Sequence, residues 1–148
     1  MNEQELYEHA VTLLAKRDYS SGEIYRHLKR NSPDEETIIE TVMERLISHH
    51  YLDDSRLIEK EMVRQLNKKH GLIRIKQELK QKELDSLLIE QALEDLDVDW
   101  FELAEELRTK KFGNTLPNDA KEKAKQVRYL QYRGHSIGII MELLSNES

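Results

Sequence analysis

A period of 51 residues is the sequence feature that most limits how this chain can fold. Leu28, Leu79 and Leu130 lie in similar helical segments and are separated by 51 residues each time. Self-similarity at a fixed period of this size is typical of repeat proteins, in which each unit buries its apolar stripe internally and against its neighbour. The spacing therefore predicts a chain built from three copies of one helical unit.

A second apolar face follows the same period. It recurs in the last helical segment of each unit, as Ile38, Ile39, Val42, Met43 and Leu46, then as Leu88, Ile89, Ala92, Leu93 and Leu96, then as Ile139, Ile140, Leu143 and Leu144. Any all-α protein shows apolar stripes of this kind. Two equal spacings of 51 residues favour repetition over that simpler explanation.

Helix start and stop signals are frequent, whereas alternating β-branched runs and hairpin turns are almost absent. Capping boxes of the form Ser/Asp-x-x-Glu start at Ser20, Ser32, Asp99 and Asp119. Pro33 stands at a first helical position, Asp85 caps a further helix, and Gly113 and Gly134 end two helices. The predicted helices span 3–17, 21–30, 33–48, 54–69, 72–82, 86–96, 100–112, 120–133 and 137–145.

These signals predict an all-α fold of three tandem three-helix repeats that form an elongated, curved array. The repeats are expected at 1–52, 53–98 and 99–148. Apolar residues make up 38% of the chain and charged residues 35%, against roughly 45–50% and 25% in an average globular domain. Such a composition favours a thin core and hence a stack of helices over a compact ball.

The sequence argues against an enzyme. It has no cysteine, no phosphate-binding glycine loop, no dinucleotide fingerprint and no nucleophile elbow. No cofactor, metal or small-molecule substrate is expected. The N-terminus lacks an apolar signal segment and no apolar run is long enough to span a bilayer, so a soluble, cytoplasmic monomer without membrane contact is expected.

The segment HHYLDDSR, residues 49–56, invites interpretation as a metal site because histidine and aspartate both bind metals. Helical spacing places the two His–Asp pairs on different faces, and no cysteine completes a four-ligand set. We interpret the segment as the joint between the first and second repeats, in which one aspartate caps the next helix. The predicted joint residues are Tyr51, Leu52, Asp53, Asp54 and Arg56.

Charge is distributed unevenly along the chain. The net charge is −6; residues 1–50 carry 6 basic and 10 acidic side chains (−4), residues 51–107 carry 9 and 15 (−6), and residues 108–148 carry 8 and 4 (+4). Within the middle section, one stretch is strongly cationic and contains a single acid, Glu78. This middle basic zone consists of Arg64, Lys68, Lys69, Arg74, Lys76, Lys80 and Lys82.

A second cationic surface, the C-terminal basic zone, is predicted near the helix at 120–133. Ala120, Ala124, Val127 and Leu130 are expected to form its buried stripe, while the cations lie one step around with interleaved tyrosines. The zone consists of Lys110, Lys111, Lys121, Lys123, Lys125, Arg128, Tyr132 and Arg133, with Tyr129 nearby. Such a surface can pair with phosphates or stack on bases; a merely solvated basic helix is the alternative for either zone.

Four segments, taken together, resemble the signature segments of the bacterial regulatory protein RecX family. They are YLDDSRL at 51–57, IKQELKQKELD at 75–85, KKFG at 110–113 and YLQYRGHS at 129–136. By position, the resemblance places Lys111, Phe112 and Gly113 at one corner of the third unit and Arg133 and Gly134 at another. The chain departs from the family pattern at His135, where an aromatic residue is favoured, and at Lys82-Glu83, where Lys-Gly is favoured.

The resemblance implies tandem three-helix repeats and a non-enzymatic regulator. Members of the family bind in the groove of the RecA–DNA filament and suppress RecA ATPase, strand exchange and coprotease activity, which regulates recombination, DNA repair and the SOS response. The implied partner is the RecA filament, with single-stranded DNA inside it as a further contact. A helix-turn-helix DNA-binding regulator is the alternative, although the overall acidity disfavours tight duplex binding.

Overall fold

The computed structural model describes residues 1–145, and within that range every regular element is an α-helix. The nine helices are α1 (Glu3–Lys16), α2 (Ser21–Asn31), α3 (Glu36–Ser48), α4 (Asp54–Asn67), α5 (Leu72–Gln81), α6 (Ser86–Glu94), α7 (Trp100–Phe112), α8 (Ala120–Tyr132) and α9 (Ile137–Leu143). The all-α prediction is confirmed, with most boundaries within two residues. The predicted third repeat ran to residue 148, and its last three positions lie outside the described residues.

The chain forms two compact units. Unit 1 comprises residues 1–60 and 79–94, and unit 2 comprises residues 61–78 and 95–148. Unit 1 has 17 acidic and 10 basic residues, a net charge of −7, whereas unit 2 has 12 and 13, a net charge of +1. The division into three sequence repeats at 1–52, 53–98 and 99–148 stays a prediction.

The core of unit 1 is built where α1, α2 and α3 pack on one another. Each helix contributes side chains at helical spacing, so that one apolar stripe faces inward. Fully buried residues are Leu6, Ala10, Ile24, Leu28, Ile39, Val42 and Leu46, and Leu52 closes the cluster after α3. Burying a leucine or isoleucine of this kind stabilises the fold by roughly 1.5–3 kcal/mol.

In unit 2, α7, α8 and α9 pack together in the same manner. The buried apolar residues are Ala104, Leu107, Leu130, Ile140, Leu143 and Leu144. The predicted inward stripe of α8 is wrong in its first half, because Ala120 and Ala124 are exposed and Val127 is half-buried. Relative to Leu130, α8 begins about one turn earlier than α2 and α5 begin relative to their leucines, and this extra turn extends beyond the core.

Most of the predicted caps are present. Side chains of Ser20, Asp85, Asp99 and Asp119 each accept a backbone N–H three residues later, at 2.7–3.2 Å. Gly113 and Gly134 adopt positive φ angles of 87° and 94° at helix ends. These groups satisfy backbone donors and acceptors that helix termini leave without intrahelical partners.

The predicted cap at Ser32 and the helix start at Pro33 are wrong. The backbone N–H of Ser32 donates to the carbonyl of Leu28 at 2.9 Å, so Ser32 ends α2 and does not begin α3. A residue before proline is disfavoured in helical conformation, and the chain turns once more before α3 begins at Glu36. The Ser32 hydroxyl is buried without a hydrogen-bond partner in the described part of the chain.

The period of 51 residues also appears in the backbone contacts. In unit 1, the N–H of Gly22 donates to the carbonyl of Glu83 at 3.0 Å; in unit 2, the N–H of Ile73 donates to the carbonyl of Gly134 at 3.2 Å. Both donor and acceptor are displaced by 51 residues between the two contacts. Both acceptors have positive φ, 57° at Glu83 and 94° at Gly134. In each unit, therefore, the corresponding turn accepts a backbone hydrogen bond from the start of the corresponding helix.

Candidate functional site

The predicted joint residues have distinct positions in unit 1. Leu52 is buried in the core, whereas Tyr51 is half exposed and meets the ring of Tyr7 edge-on, with centroids 6.2 Å apart. Asp53 caps α4 by accepting the N–H of Arg56 at 3.1 Å. The guanidinium of Arg56 in turn pairs with Asp18 at 2.7 Å, and this hydrogen bond lowers the pKa of the Asp18 carboxyl.

Asp54 has a function that sequence reasoning did not find. Its buried carboxylate accepts the Ser21 N–H at 2.9 Å, the Ser21 hydroxyl at 2.6 Å and the Asp85 N–H at 2.8 Å. Asp54 therefore joins the first residue of α2 to the cap of α6. The sequence signal for this role is the pair of adjacent aspartates. One aspartate is enough to cap α4, which leaves the other for a different contact.

Unit 2 contains a groove of about 370 Å³, here called the lysine groove, at the ends of α4, α7 and α8. It brings together cations from both predicted basic zones, which sequence reasoning had kept apart. The groove is lined by Asn67, Lys68, Lys69, Leu107, Lys110, Lys111, Tyr129 and Arg133. Five cationic side chains thus surround one cavity, and three helices position them.

Most of this positive charge is not neutralised by neighbouring acids. Lys69 pairs with Glu106 at 2.7 Å, whereas none of the other four groove cations has an ion pair within residues 1–145. The Nε atom of Arg133 is buried without a hydrogen-bond partner in the same range. A buried donor without an acceptor is costly. The groove therefore has four cations that no acid of the described residues neutralises.

Tyr129 forms one wall of the groove and is held by its neighbours. The ring of Phe112 meets it edge-on at 5.4 Å, and Lys111 and Arg133 lie over the ring at 5.6 and 5.2 Å from its centroid. Cations at such distances are attracted to an aromatic ring. The ring therefore serves to orient the two cations.

Two buried histidines lie beside the groove in unit 2. His135 donates through Nε2 to the carbonyl of Lys69 at 2.9 Å, and His70 contacts the side-chain amide of Gln65 through Nδ1. Burial lowers the pKa of both, in His70 to about 4, with further lowering by the charges of Arg74, Arg133 and Lys68. Both rings are therefore neutral near pH 7 and hold the turn that carries Lys68 and Lys69.

The rest of the middle basic zone does not line the groove. Arg64 pairs with Glu61 at 2.5 Å and Arg74 approaches Glu78 at 3.6 Å. Lys76 is exposed in unit 2, whereas Lys80 and Lys82 belong to unit 1. The zone seen in the sequence is accordingly a set of cations in different surroundings.

The remaining C-terminal cations lie on the solvent side of α8. Lys121, Lys125 and Arg128 are exposed, as is Lys123, and Tyr132 is 75% exposed. Arg74 lies over the Tyr132 ring at 5.3 Å. The predicted row of cations on α8 is thus accessible, although it is separate from the lining of the lysine groove.

The arrangement fits binding of an anion better than metal binding. No group of three or more histidine, aspartate or glutamate side chains in residues 1–145 is placed to hold a metal ion, His49, His50, Asp53 and Asp54 included. The clustered lysines and arginine instead offer donors to phosphate or carboxylate oxygens.

Comparison with known protein families shows to which family the chain belongs. Residues 53–93 match the model of the second three-helix domain of RecX, and residues 97–144 match that of the third. Regulatory protein RecX of Acinetobacter baylyi is 45% identical over 135 residues, covering 91% of this chain and 83% of that protein. The chain belongs to the RecX family. Regulatory protein RecX of Vibrio campbellii is 42% identical over 140 residues, covering 95% and 90%.

Solved RecX structures show the same fold. The crystal structure of RecX from Lactobacillus salivarius aligns with a TM-score of 0.75 at 20% identity, covering 96% of this chain and 94% of that one. A second structure, of regulatory protein RecX, gives 0.73 at 21% identity over 95% and 72%. As a RecX protein, the chain is a member of a family of regulators. Within the described residues, no helix has the length and apolarity needed to span a membrane.

Proposed function

We propose that this RecX protein regulates the RecA recombinase. It binds the RecA–DNA filament and suppresses RecA ATPase, strand exchange and coprotease activity, thereby controlling recombination, DNA repair and the SOS response. It catalyses no reaction itself. RecX membership supports the regulatory part of this proposal, and the resemblance of its signature segments to the family supports RecA as the partner.

The lysine groove is the observation that carries the mechanism. Five cations at or directly after the C-terminal ends of α4, α7 and α8 surround it, and a single acid, Glu106, is paired with one of them. Such a site attracts anions, and in a nucleoprotein filament the available anions are DNA phosphates and acidic protein side chains. The exposed cations of α8 add a second contact, at Lys121, Lys125 and Arg128.

The direct test is RecA ATPase on single-stranded DNA with increasing amounts of this protein. The proposal expects ATPase to fall in a saturable manner. Unchanged ATPase at saturating protein would contradict it.

Charge reversal tests whether the groove is the contact. Changing Lys110 and Lys111 to glutamate should raise the concentration needed for half inhibition at least tenfold, because the groove then repels anions. Changing the exposed Lys16 and Arg30 of unit 1 to glutamate alters the net charge equally and is the matched control, because neither forms an ion pair within residues 1–145. Equal effects of both double variants would assign the loss to net charge rather than to the groove.

The triple reversal of Lys121, Lys125 and Arg128 tests the α8 surface in the same assay.

A gel shift separates the proposal from the alternative of a helix-turn-helix DNA-binding regulator. The probes are bare duplex, bare single-stranded DNA and RecA-coated single-stranded DNA. The proposal expects clear preference for the coated strand. Sequence-selective binding to bare duplex would favour the DNA-binding regulator instead.

A further inference from the structure

Unit 1 contains a second groove, of about 380 Å³, with chemistry opposite to that of the lysine groove. Its lining combines three apolar residues, Ile47, Leu52 and Leu88, with six polar ones, His50 among them, and Ile47 is 53% exposed. The carboxylates of Asp53 and Asp85 stand in its lining, and neither lysine nor arginine is among the lining residues. We refer to it as the acid-rimmed groove.

The positions of the two carboxylates are fixed by the helices that start there. Asp53 accepts the N–H of Arg56 at the start of α4, and Asp85 accepts the N–H of Leu88 at the start of α6. Asp54 lies in the same lining and holds Ser21 and Asp85 together through three hydrogen bonds. The negative charge is therefore preorganised beside an exposed isoleucine and does not depend on flexible side chains.

We propose that the acid-rimmed groove binds a basic amphipathic segment of a partner protein. An apolar side chain of that segment enters between Ile47 and Leu88, and a flanking lysine or arginine pairs with Asp53 or Asp85. Apolar contact in the centre with charges at the edge is the usual composition of a protein–protein contact.

Charge complementarity selects this occupant over others. A nucleic acid is repelled by the aspartates and by the net charge of −7 on unit 1. A metal ion is disfavoured because the Asp54 oxygens already accept hydrogen bonds. A basic protein segment offers both the cation and the apolar side chain that the lining matches.

This contact lies beyond the proposed function. The lysine groove of unit 2 is proposed to bind anionic groups, whereas the acid-rimmed groove of unit 1 would bind a basic protein segment. A partner that engages both grooves must present a basic segment as well as anionic groups. A filament of protein on DNA can present both, whereas bare DNA can present only the second.

The test uses a defined probe, a 12-residue peptide with leucine and arginine at helical spacing, titrated into the full-length protein labelled at Ile and Leu methyl groups. We expect NMR shift changes at Ile47, Leu52 and Leu88. Matched peptides with glutamate in place of arginine, or serine in place of leucine, should not produce them. Because RecA is absent, the outcome is independent of the ATPase test of the proposed function.

The decisive variant is Asp53→Asn with Asp85→Asn. Asparagine caps helices about as well as aspartate, so the variant should fold while losing both charges. Peptide affinity should fall at least fivefold, whereas the control Asp34→Asn with Glu40→Gln, which removes two exposed charges outside the groove lining, should leave it unchanged. Unchanged affinity in the double variant would overturn the proposal, as would shift changes confined to other surfaces or occupation of the groove by a second copy of the chain in sedimentation.

Discussion

At the scale of single residues, Asp54 shows how one buried carboxylate stabilises unit 1. Its three hydrogen bonds come from two backbone N–H groups and one hydroxyl. Asp54→Ala leaves those donors without an acceptor, which should reduce the free energy of unfolding by about 3 kcal/mol. Urea denaturation followed by circular dichroism measures this, with Asp53→Asn as a control that should change stability little. A loss below about 1 kcal/mol for Asp54→Ala would show that water replaces the carboxylate.

The backbone at Glu83 has a conformation that is unfavourable for any residue other than glycine. Its φ angle of 57° lies in the left-handed region, which costs a non-glycine residue about 1 kcal/mol relative to glycine. Glu83→Gly should therefore raise the melting temperature, even though it removes an exposed ion pair with Arg26 at 3.2 Å. Glu83→Ala removes the same ion pair and keeps the strain, so it should be less stable than the glycine variant. Equal stability of the two variants would rule out strain as the cause.

The buried imidazole of His70 should make the stability of unit 2 depend on pH. Its pKa is lowered from 6.5 to about 4 by burial first and then by nearby cations. As the pH falls from 6.5 towards 4, the unfolded chain takes up a proton that the folded chain does not, so stability is complete above pH 6.5 and decreases below it. The loss should reach about 3 kcal/mol by pH 4.

The variant His70→Asn tests this assignment because its amide can still donate to Gln65 without titrating. Urea midpoints measured between pH 7.5 and 4.5 should fall less steeply for the variant than for the natural chain. His135, whose pKa is also lowered by burial, remains in both proteins and contributes equally. Parallel pH profiles would show that His70 does not control the slope.

At the scale of helices and turns, each unit has one glycine at which a turn closely approaches a helix start, Gly22 in unit 1 and Gly71 in unit 2, although the two are not 51 residues apart. A Cβ atom on Gly22 would lie 2.5 Å from the carbonyl oxygen of Glu83, and one on Gly71 would lie 2.3 Å from that of Gly134. Either alanine substitution must push the turn away from the helix start, and we expect losses of about 2 kcal/mol or more. Gly138→Ala in α9 is the matched control, because nothing lies within 4 Å of its Cβ.

Glycine inside a helix is less stable than alanine by roughly 0.5–1 kcal/mol, so the control should be neutral or stabilising. Thermal unfolding of the three variants measures the difference. If Gly22→Ala and Gly71→Ala behaved like Gly138→Ala, the close approach in the structure would not matter for stability.

The helices were predictable because their signals are local. Ser20, Asp85, Asp99 and Asp119 cap helices through atoms three residues away, and sequence spacing alone identifies them. The start of α3 was mispredicted because the end of α2 competed for Ser32. The exposure of Ala120 and Ala124 was missed because the period predicts which residues correspond between units, but not that α8 extends one turn further.

The lysine groove could not be predicted, since its parts are distant in sequence. Lys68 and Lys111 are separated by 43 positions and meet only because α4 and α7 end beside the same cavity. The sequence indicated which side chains are cationic and on which helices they lie. Only the packed fold shows which of them share a ligand-sized space and which are paired with acids.

At the scale of the whole molecule, uneven charge determines how binding should respond to salt. Unit 1 carries −7 and unit 2 carries +1, so bare DNA is repelled by most of the chain and attracted by the cations of unit 2. Each phosphate neutralised releases bound counterions, and the logarithm of affinity then falls with the logarithm of salt by about 0.7 per phosphate on a single strand. We therefore expect filament binding to weaken between 50 and 200 mM salt.

The variant with Lys110 and Lys111 changed to glutamate tests whether the lysine groove causes this salt dependence. If Lys110 and Lys111 contact phosphates, their reversal to glutamate should lower affinity and also flatten the salt dependence by about 1.4, the contribution of two phosphate contacts. Fluorescence anisotropy of labelled RecA-coated single-stranded DNA at several salt concentrations measures both quantities. A loss of affinity with an unchanged slope would mean that the lysines contact protein, because carboxylates release no condensed counterions. The Asp53→Asn, Asp85→Asn variant should keep the full slope, since its groove is expected to meet a basic protein segment and no phosphate.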